Sequence, residues 1–201
     1  MKKVLISTKP KWYEDIASDK KKIEVRKSRP KIETPFKCLI YCTKDKYEHL
    51  YDLRPYTNGT LSLSVTKHNS TSLVAGDYWN GKVIGEFVCD RIDKYLCEEY
   101  EWEDGQNSLE YRIRSVEGRK TCLDYDKLRE YGNEKPLYFW HISDVKIYDK
   151  PKELSEFYTR CNIPESKCKL CDNCFDREDG YGRQYAVKQL TRPPQSWCYV
   201  E

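Results

Sequence analysis

Short apolar runs and short alternating stretches, separated by polar punctuation, recur along the chain and predict more strands than helices. Lys3 to Ser7 carries Val4, Leu5 and Ile6 in a row and reads as a short buried strand. Thr8 and Pro10 are start signals for a helix from about Lys11 to Ser18, with Trp12 and Ile16 one turn apart on one face. Lys22 to Lys27 alternates: Ile23 and Val25 point one way, Glu24 and Arg26 the other. After Pro30 and Pro35, Lys37 to Thr43 predicts a stronger strand in which Cys38, Ile40 and Cys42 share a face. Residues 44–80 are polar and turn-rich, with a strand predicted only at Leu61 to Thr66, and read as an insertion. Gly81 to Asp90 predicts the next strand, and Tyr111 to Ser115 a short one.

Thr121, with Asp124 three residues later, has the form of a capping box for a helix ending near Tyr131, where Gly132 stops it. Leu137 to Tyr148 predicts a strand broken near Ser143-Asp144, and Pro151 opens a short helix carrying Leu154, Phe157 and Tyr158. Five to seven short strands with two or three short helices make an α+β, mainly β protein. The strand lengths suit a small closed or half-closed barrel with helices at its rim.

Composition sharpens this picture. In 201 residues, 34% are charged and only 38% hydrophobic, but 17 Tyr, 5 Trp and 5 Phe are enough to wall one core. The apolar run after Lys2 and Lys3 is far shorter than a secretory or membrane segment requires, so a soluble, cytoplasmic protein with no membrane partner is expected. The formal charge of +3 is unevenly spread. Residues 1–31 hold eleven Lys/Arg against four acids, a net +7, leaving −4 for the rest. That segment is either a solvated surface run or a basic patch that tracks phosphates.

Ten cysteines in a cytoplasmic chain read first as metal ligands or reactive thiols. Cys168-x2-Cys171-x2-Cys174 has the spacing that turns successive thiolates onto one ion, and Cys161 or Cys198 is available as a fourth ligand. Structural zinc is the expected occupant, because the polar, glycine-containing stretch around the cluster cannot build a core of its own. An iron–sulfur cluster fits less well, since the fourth cysteine of that run falls where Glu178 stands. Reduced cysteines in a loop are the remaining alternative. Cys38, Cys42, Cys89, Cys97 and Cys122 read as small buried hydrophobes.

The opening segment, Leu5-Ile6-Ser7-Thr8-Lys9-Pro10, a helix, then Lys21-Lys22-Ile23-Glu24-Val25-Arg26-Lys27, resembles the ASCH domain. That family has a small β-barrel similar to PUA RNA-binding domains, and its motif is Gly-x-Lys-x-x-[Glu/Thr]-x-Arg. Lys21, Glu24 and Arg26 match it, while Asp19 stands at the glycine, so the turn there must be made another way. Gly81 to Phe87, Tyr138 to Ile142 and Arg192 to Val200 also look like this family, in the long form with this ending found in bacterial and phage genomes. On this reading a PUA-like domain spans about 1–155, with the insertion at 44–80. A Cys-rich extension covers 156–201, its terminal strand-like piece returning to the barrel.

The resemblance implies binding of RNA, or of a nucleotide or modified nucleoside, in a cleft beside the Lys-x-x-Glu-x-Arg segment. Lys9, Lys21, Arg26 and Lys27 would meet phosphates, Trp12, Tyr138 or Trp140 would stack on an unstacked base, and Glu24 would accept from an exocyclic amine or sugar hydroxyl. The plainer alternative is an exposed Glu24–Arg26 pair of little energetic consequence.

Some small family members hydrolyse N4-acetylcytidine, with a lysine activating a threonine. Here Lys21 occupies the lysine position, but Glu24 replaces the threonine and is able to act only as a base for water. A ribonuclease would draw on His141, Lys21 and Glu24, although a lone histidine in a strand is more often a hydrogen-bonded core residue. A third class is a phage-encoded adaptor presenting the acidic 98–104 stretch to a protein partner.

Overall fold

The computed structural model describes residues 3–52, 63–67, 78–95, 116–133, 135–160, 175–176, 183–184 and 187–201. The chain runs β1 (Lys3–Thr8), α1 (Pro10–Ala17), β2 (Ile23–Arg26), β3 (Phe36–Cys42), β4 (Glu48–Asp52), β5 (Leu63–Lys67) and β6 (Val83–Tyr95). Then follow α2 (Val116–Arg119), α3 (Tyr125–Gly132), β7 (Leu137–Lys152), a 3-10 turn (Leu154–Glu156) and β8 (Tyr158–Arg160). The short strands β9 (Phe175–Asp176), β10 (Arg183–Gln184) and β11 (Val187–Gln189) precede β12 (Trp197–Val200). Among the described residues no helix is long and apolar enough to cross a membrane.

Six strands form the central sheet in the order β12-β1-β3-β6-β7-β2, with only β1 and β3 parallel. A connection between parallel neighbours needs a crossover, and here α1 and β2 supply it. Helix α1 turns Tyr13 and Ile16 into the largest apolar cluster, with Val4, Ile6, Phe36, Ile40 and Trp140. The Tyr13 hydroxyl donates to the Ile84 carbonyl across this core at 3.0 Å. A second cluster joins Ile23 and Val25 to Phe139, Leu137 and Leu128. The third gathers Leu5, Leu39, Tyr41, Val83 and Val200. Glu48–Asp52 and Leu63–Lys67 pair as a hairpin lying against α1, and the Val65 amide donates to a Glu14 carboxylate oxygen at 3.3 Å.

The expected barrel is corrected to an open sheet. Its two edges, β2 and β12, are not paired to one another among the described residues. They are instead bridged by side chains: Arg26 Nη1 donates to the Ser196 carbonyl at 3.2 Å, and Trp197 Nε1 to Ser28 Oγ at 3.0 Å. A four-residue β2 whose outward side is spanned by an arginine leaves no ladder with which to close the ring.

Local expectations are corrected in the same way. Asp19, at the motif's glycine position, makes the turn after α1 with φ of 63°, a conformation that aspartate tolerates better than most residues. The helix near 121–131 is capped by Asp124, whose carboxylate accepts from the Lys127 amide at 2.9 Å. The Thr121 hydroxyl turns back to the Gly118 carbonyl instead. Left-handed Asn133 ends that helix, so Gly132 remains its last residue. Strand β7 continues through Ser143-Asp144, with Asp144 taking φ of 46° and absorbing the irregularity. Past Pro151 only one 3-10 turn forms, and Tyr158 already belongs to a strand. The 111–115 and 98–104 stretches lie outside the described residues.

Candidate nucleotide-binding cleft

Alternation in β2 sends Ile23 and Val25 to the second apolar cluster and Glu24 and Arg26 to the opposite face. That face is covered by the end of β1 and the start of α1, so Glu24 and Arg26 are buried, with only 7% and 6% exposed. Lys21 arrives from the turn after α1 and is 3% exposed. The three charges meet. Arg26 Nη2 lies 2.8 Å from one Glu24 oxygen, and Lys21 Nζ lies 3.6 Å from the other. An exposed pair is thereby ruled out in favour of a buried ion triad.

Each cation has further partners. Lys21 Nζ donates to the Thr121 carbonyl at 2.7 Å and sits 5.3 Å from the centre of the Trp12 ring. Arg26 Nη2 also donates to the Ser7 carbonyl at 2.8 Å. Arg26 Nε is buried with no partner among the described residues. Burial pushes the Lys21 ammonium below its ordinary pKa, against the pull of the Glu24 carboxylate. Both cations are buried and turned onto the Glu24 carboxylate and nearby main-chain carbonyls, so Lys21 and Arg26 organise the site's wall rather than reach out to phosphates.

This wall bounds an open cleft of about 460 Å³. Ser7 and Thr8 of β1, Lys9 and Trp12 at the start of α1, and Lys21, Glu24, Val25 and Arg26 line one part. Leu123, Lys127 and Tyr131 line another, and Thr43 and Gln195 complete it. Lys9 and Lys127 are exposed there, while Lys27 places its ammonium 4.9 Å from the centre of the Tyr131 ring. Lys127 and Tyr131 escape sequence reasoning because nothing in their local pattern places helix 125–132 beside β2; only the tertiary fold does.

Two residues expected at the ligand lie elsewhere. Trp140 is fully buried, edge-on to Phe36 with ring centres 5.7 Å apart, so it has no face open to the cleft. Its Nε1 has no partner among the described residues. His141 also does not line the cleft; its Nε2 is 2.8 Å from Asp93 Oδ2 and 3.0 Å from Arg91 Nη2. Among the described residues, Trp12 and Tyr131 are the aromatic residues that do line it.

Cys161, Cys168, Cys171 and Cys174 lie outside the described residues, as does Cys97. Among the described residues no group of three or more His, Cys, Asp or Glu could hold a metal. Cys198 stands opposite Leu5 in the β12–β1 pairing and packs beside the third apolar cluster. Burial pushes its thiol up to about 11. Cys38, Cys42 and Cys89 are buried in the first cluster, whereas Cys122 is half-buried in a left-handed turn with φ of 58°.

The open, mainly β sheet has the fold of solved ASCH proteins. The chain superposes on the ASCH protein from Zymomonas mobilis with a TM-score of 0.51 at 16% identity, covering 99% of this chain and 87% of that one. A single-residue mutant of the same protein gives a TM-score of 0.52 at 15% identity, covering 99% and 88%. No family model and no curated protein matches the chain.

Proposed function

We propose that the cleft binds a single unstacked nucleobase, carried by RNA or by a free or modified nucleotide. The observation that carries this reading is the buried Lys21–Glu24–Arg26 wall set beside Trp12 and Tyr131 in one cleft. Aromatic rings offer a flat base its stacking partner, exposed Lys9 and Lys127 offer a phosphate its counter-charge, and the triad supplies fixed polar contacts. The test is titration with short single-stranded RNA and with nucleotides across a salt series. Trp12→Ala is expected to weaken binding by about 1–3 kcal/mol, the usual worth of a base–aromatic stack. Lys9→Ala with Lys127→Ala is expected to flatten the salt dependence. The lysine pair spares the buried triad, and Trp12→Ala leaves its ion pairs in place while removing the ring beside Lys21. Full affinity in Trp12→Ala, or no binding of any such ligand by the wild type, overturns the reading.

A hydrolytic reading is favoured by one observation: burial lowers the pKa of Lys21 in a cleft wall, as in amines that serve as bases. Hydrolysis of an N4-acylated cytidine or of RNA would then use water activated by neutral Lys21. Because the neutral amine is the active form, kcat would fall as pH drops through the lowered Lys21 pKa and level off above it. Absence of turnover, or a rate indifferent to Lys21→Met, refutes this alternative.

For the cysteine cluster we propose structural zinc on Cys168, Cys171 and Cys174, with Cys161 as the fourth ligand. Cys198 is held in the β12–β1 ladder opposite Leu5 and packs beside the third apolar cluster, which favours Cys161 as the fourth thiolate. Elemental analysis of the purified protein is expected to give one zinc, retained in Cys198→Ser and lost in Cys161→Ser. Less than about half an equivalent in the wild type removes the site, since a tetrahedral structural site fills completely.

A further inference from the structure

Strand β2 is an edge of the sheet, and its register fixes where its main-chain groups point. Its pairing with β7 is antiparallel, with Ile23 opposite His141 and Val25 opposite Phe139. The Ile142 amide donates to the Lys22 carbonyl at 2.9 Å. In an antiparallel ladder, bonded and non-bonded pairs alternate. Glu24 and Arg26 therefore aim their N–H and C=O groups at β7, and Ile23 and Val25 aim theirs outward. Ile23 shows this directly, since its amide donates to the Lys120 carbonyl at 3.0 Å.

Val25 is the next outward position. By the same alternation its N–H and C=O face away from β7, and neither bonds a turn or loop among the described residues. The cleft is lined by Glu24 and Arg26 from one face of β2, and by Leu123, Lys127 and Tyr131 from the other. The strand's edge therefore crosses the cleft between these two walls. We propose that the Val25 amide and carbonyl read the hydrogen-bonding edge of the bound nucleobase, as a donor and an acceptor side by side.

Two features favour a base over an added peptide strand. Strand addition draws on a run of open main-chain groups, whereas β2 has four residues and one of its two outward amides, that of Ile23, already donates to the Lys120 carbonyl. Lys120 covers the edge before Val25, and the Arg26 bridge to Ser196 spans the sheet gap after it. A donor–acceptor pair in a cleft also lined by Trp12 and Tyr131 matches a flat heterocycle that presents an acceptor beside a donor, as an imide or an amidine-like edge does.

This deepens the nucleobase reading and rests on it, so the experiment separates the two. The probes are the four ribonucleosides and their ring-methylated forms, such as uridine against 3-methyluridine, titrated into wild type and Val25→Pro. Proline removes the outward N–H at a position where edge strands accept it, and it also replaces the buried Val25 side chain, so the wild-type methylation comparison is read beside it. Wild type is expected to bind at least one unmodified nucleoside tenfold or more better than its edge-methylated form. In Val25→Pro that preference should collapse towards unity while stacking-dependent binding remains. Should Val25→Pro fail to fold, the wild-type methylation comparison still decides: equal affinity for both forms overturns the proposal and leaves the nucleobase reading standing. A folded Val25→Pro protein with an unchanged preference does the same. Binding of an extended peptide but of no nucleoside overturns both.

Discussion

Glu24→Ala is expected to destabilise the protein by roughly 3–5 kcal/mol, because it leaves two buried cations facing each other without their shared anion. Exposed pairs behave differently: removing one partner typically changes stability by about 0–1 kcal/mol. The distinction is sharp because all three groups are less than one-tenth exposed and both carboxylate oxygens are engaged. Glu24→Gln keeps the shape but loses the charge and should fall between wild type and Glu24→Ala. Pairing Glu24→Ala with Lys21→Met should recover part of the loss, since it removes one of the stranded charges. Urea melts with an unchanged m-value provide the measurement. A loss under about 1 kcal/mol in Glu24→Ala would mean that the triad is solvated and that its burial is not maintained in solution. The same energetics explain why binding is better probed at Lys9, Lys127 and Trp12. A ligand lost on mutation of Lys21 or Arg26 would report the collapse of the wall.

The second large effect is expected at Trp140. Truncation to alanine removes a fully buried indole from the main cluster and is expected to cost about 3–5 kcal/mol, the usual range for large aromatic core residues. Trp140→Phe should cost less, as it keeps an aromatic ring beside Phe36 and also removes an indole N–H that has no partner among the described residues. Neither change is expected to alter the intrinsic affinity of the folded fraction for a nucleotide, because Trp140 does not line the cleft. Thermal melts and titrations on the same samples separate stability from affinity. A large loss of affinity in fully folded Trp140→Phe would return this residue to the ligand.

Period-two alternation in Lys22 to Lys27 correctly separates the faces of β2, and the Lys21, Glu24 and Arg26 spacing brings those three residues together. Alternation alone leaves open whether the polar face is wet or buried, because burial depends on what packs over it. Here the end of β1 and the start of α1 do so, through contacts such as Arg26 with the Ser7 carbonyl. Trp140 misleads for a related reason: an aromatic in Tyr138 to Ile142 looks the same on either face of a strand whose two faces are both covered. Tyr131 and Lys127 carry no local signal at all. The capping residue is displaced from Thr121 to Asp124 because the Thr121 hydroxyl and carbonyl serve Gly118 and Lys21 instead. The barrel fails to close for want of pairing at its edges, a property of the whole sheet that strand lengths do not encode.

The place of β12 beside β1 has a kinetic consequence. Ser7 Oγ donates to the Pro194 carbonyl at 2.6 Å across 187 residues of sequence, and the β1–β12 ladder runs on from there. Closing so long a loop must precede any return from the contacts it makes, and folds ruled by such pairings assemble slowly. On a ribosome, the sheet can grow inward from β1 through β3, β6 and β7 while its β12 side stays bare. During synthesis β1 therefore presents an unpaired, largely apolar edge until the last strand emerges, and that interval is when this chain is most exposed to mispairing with its own copies.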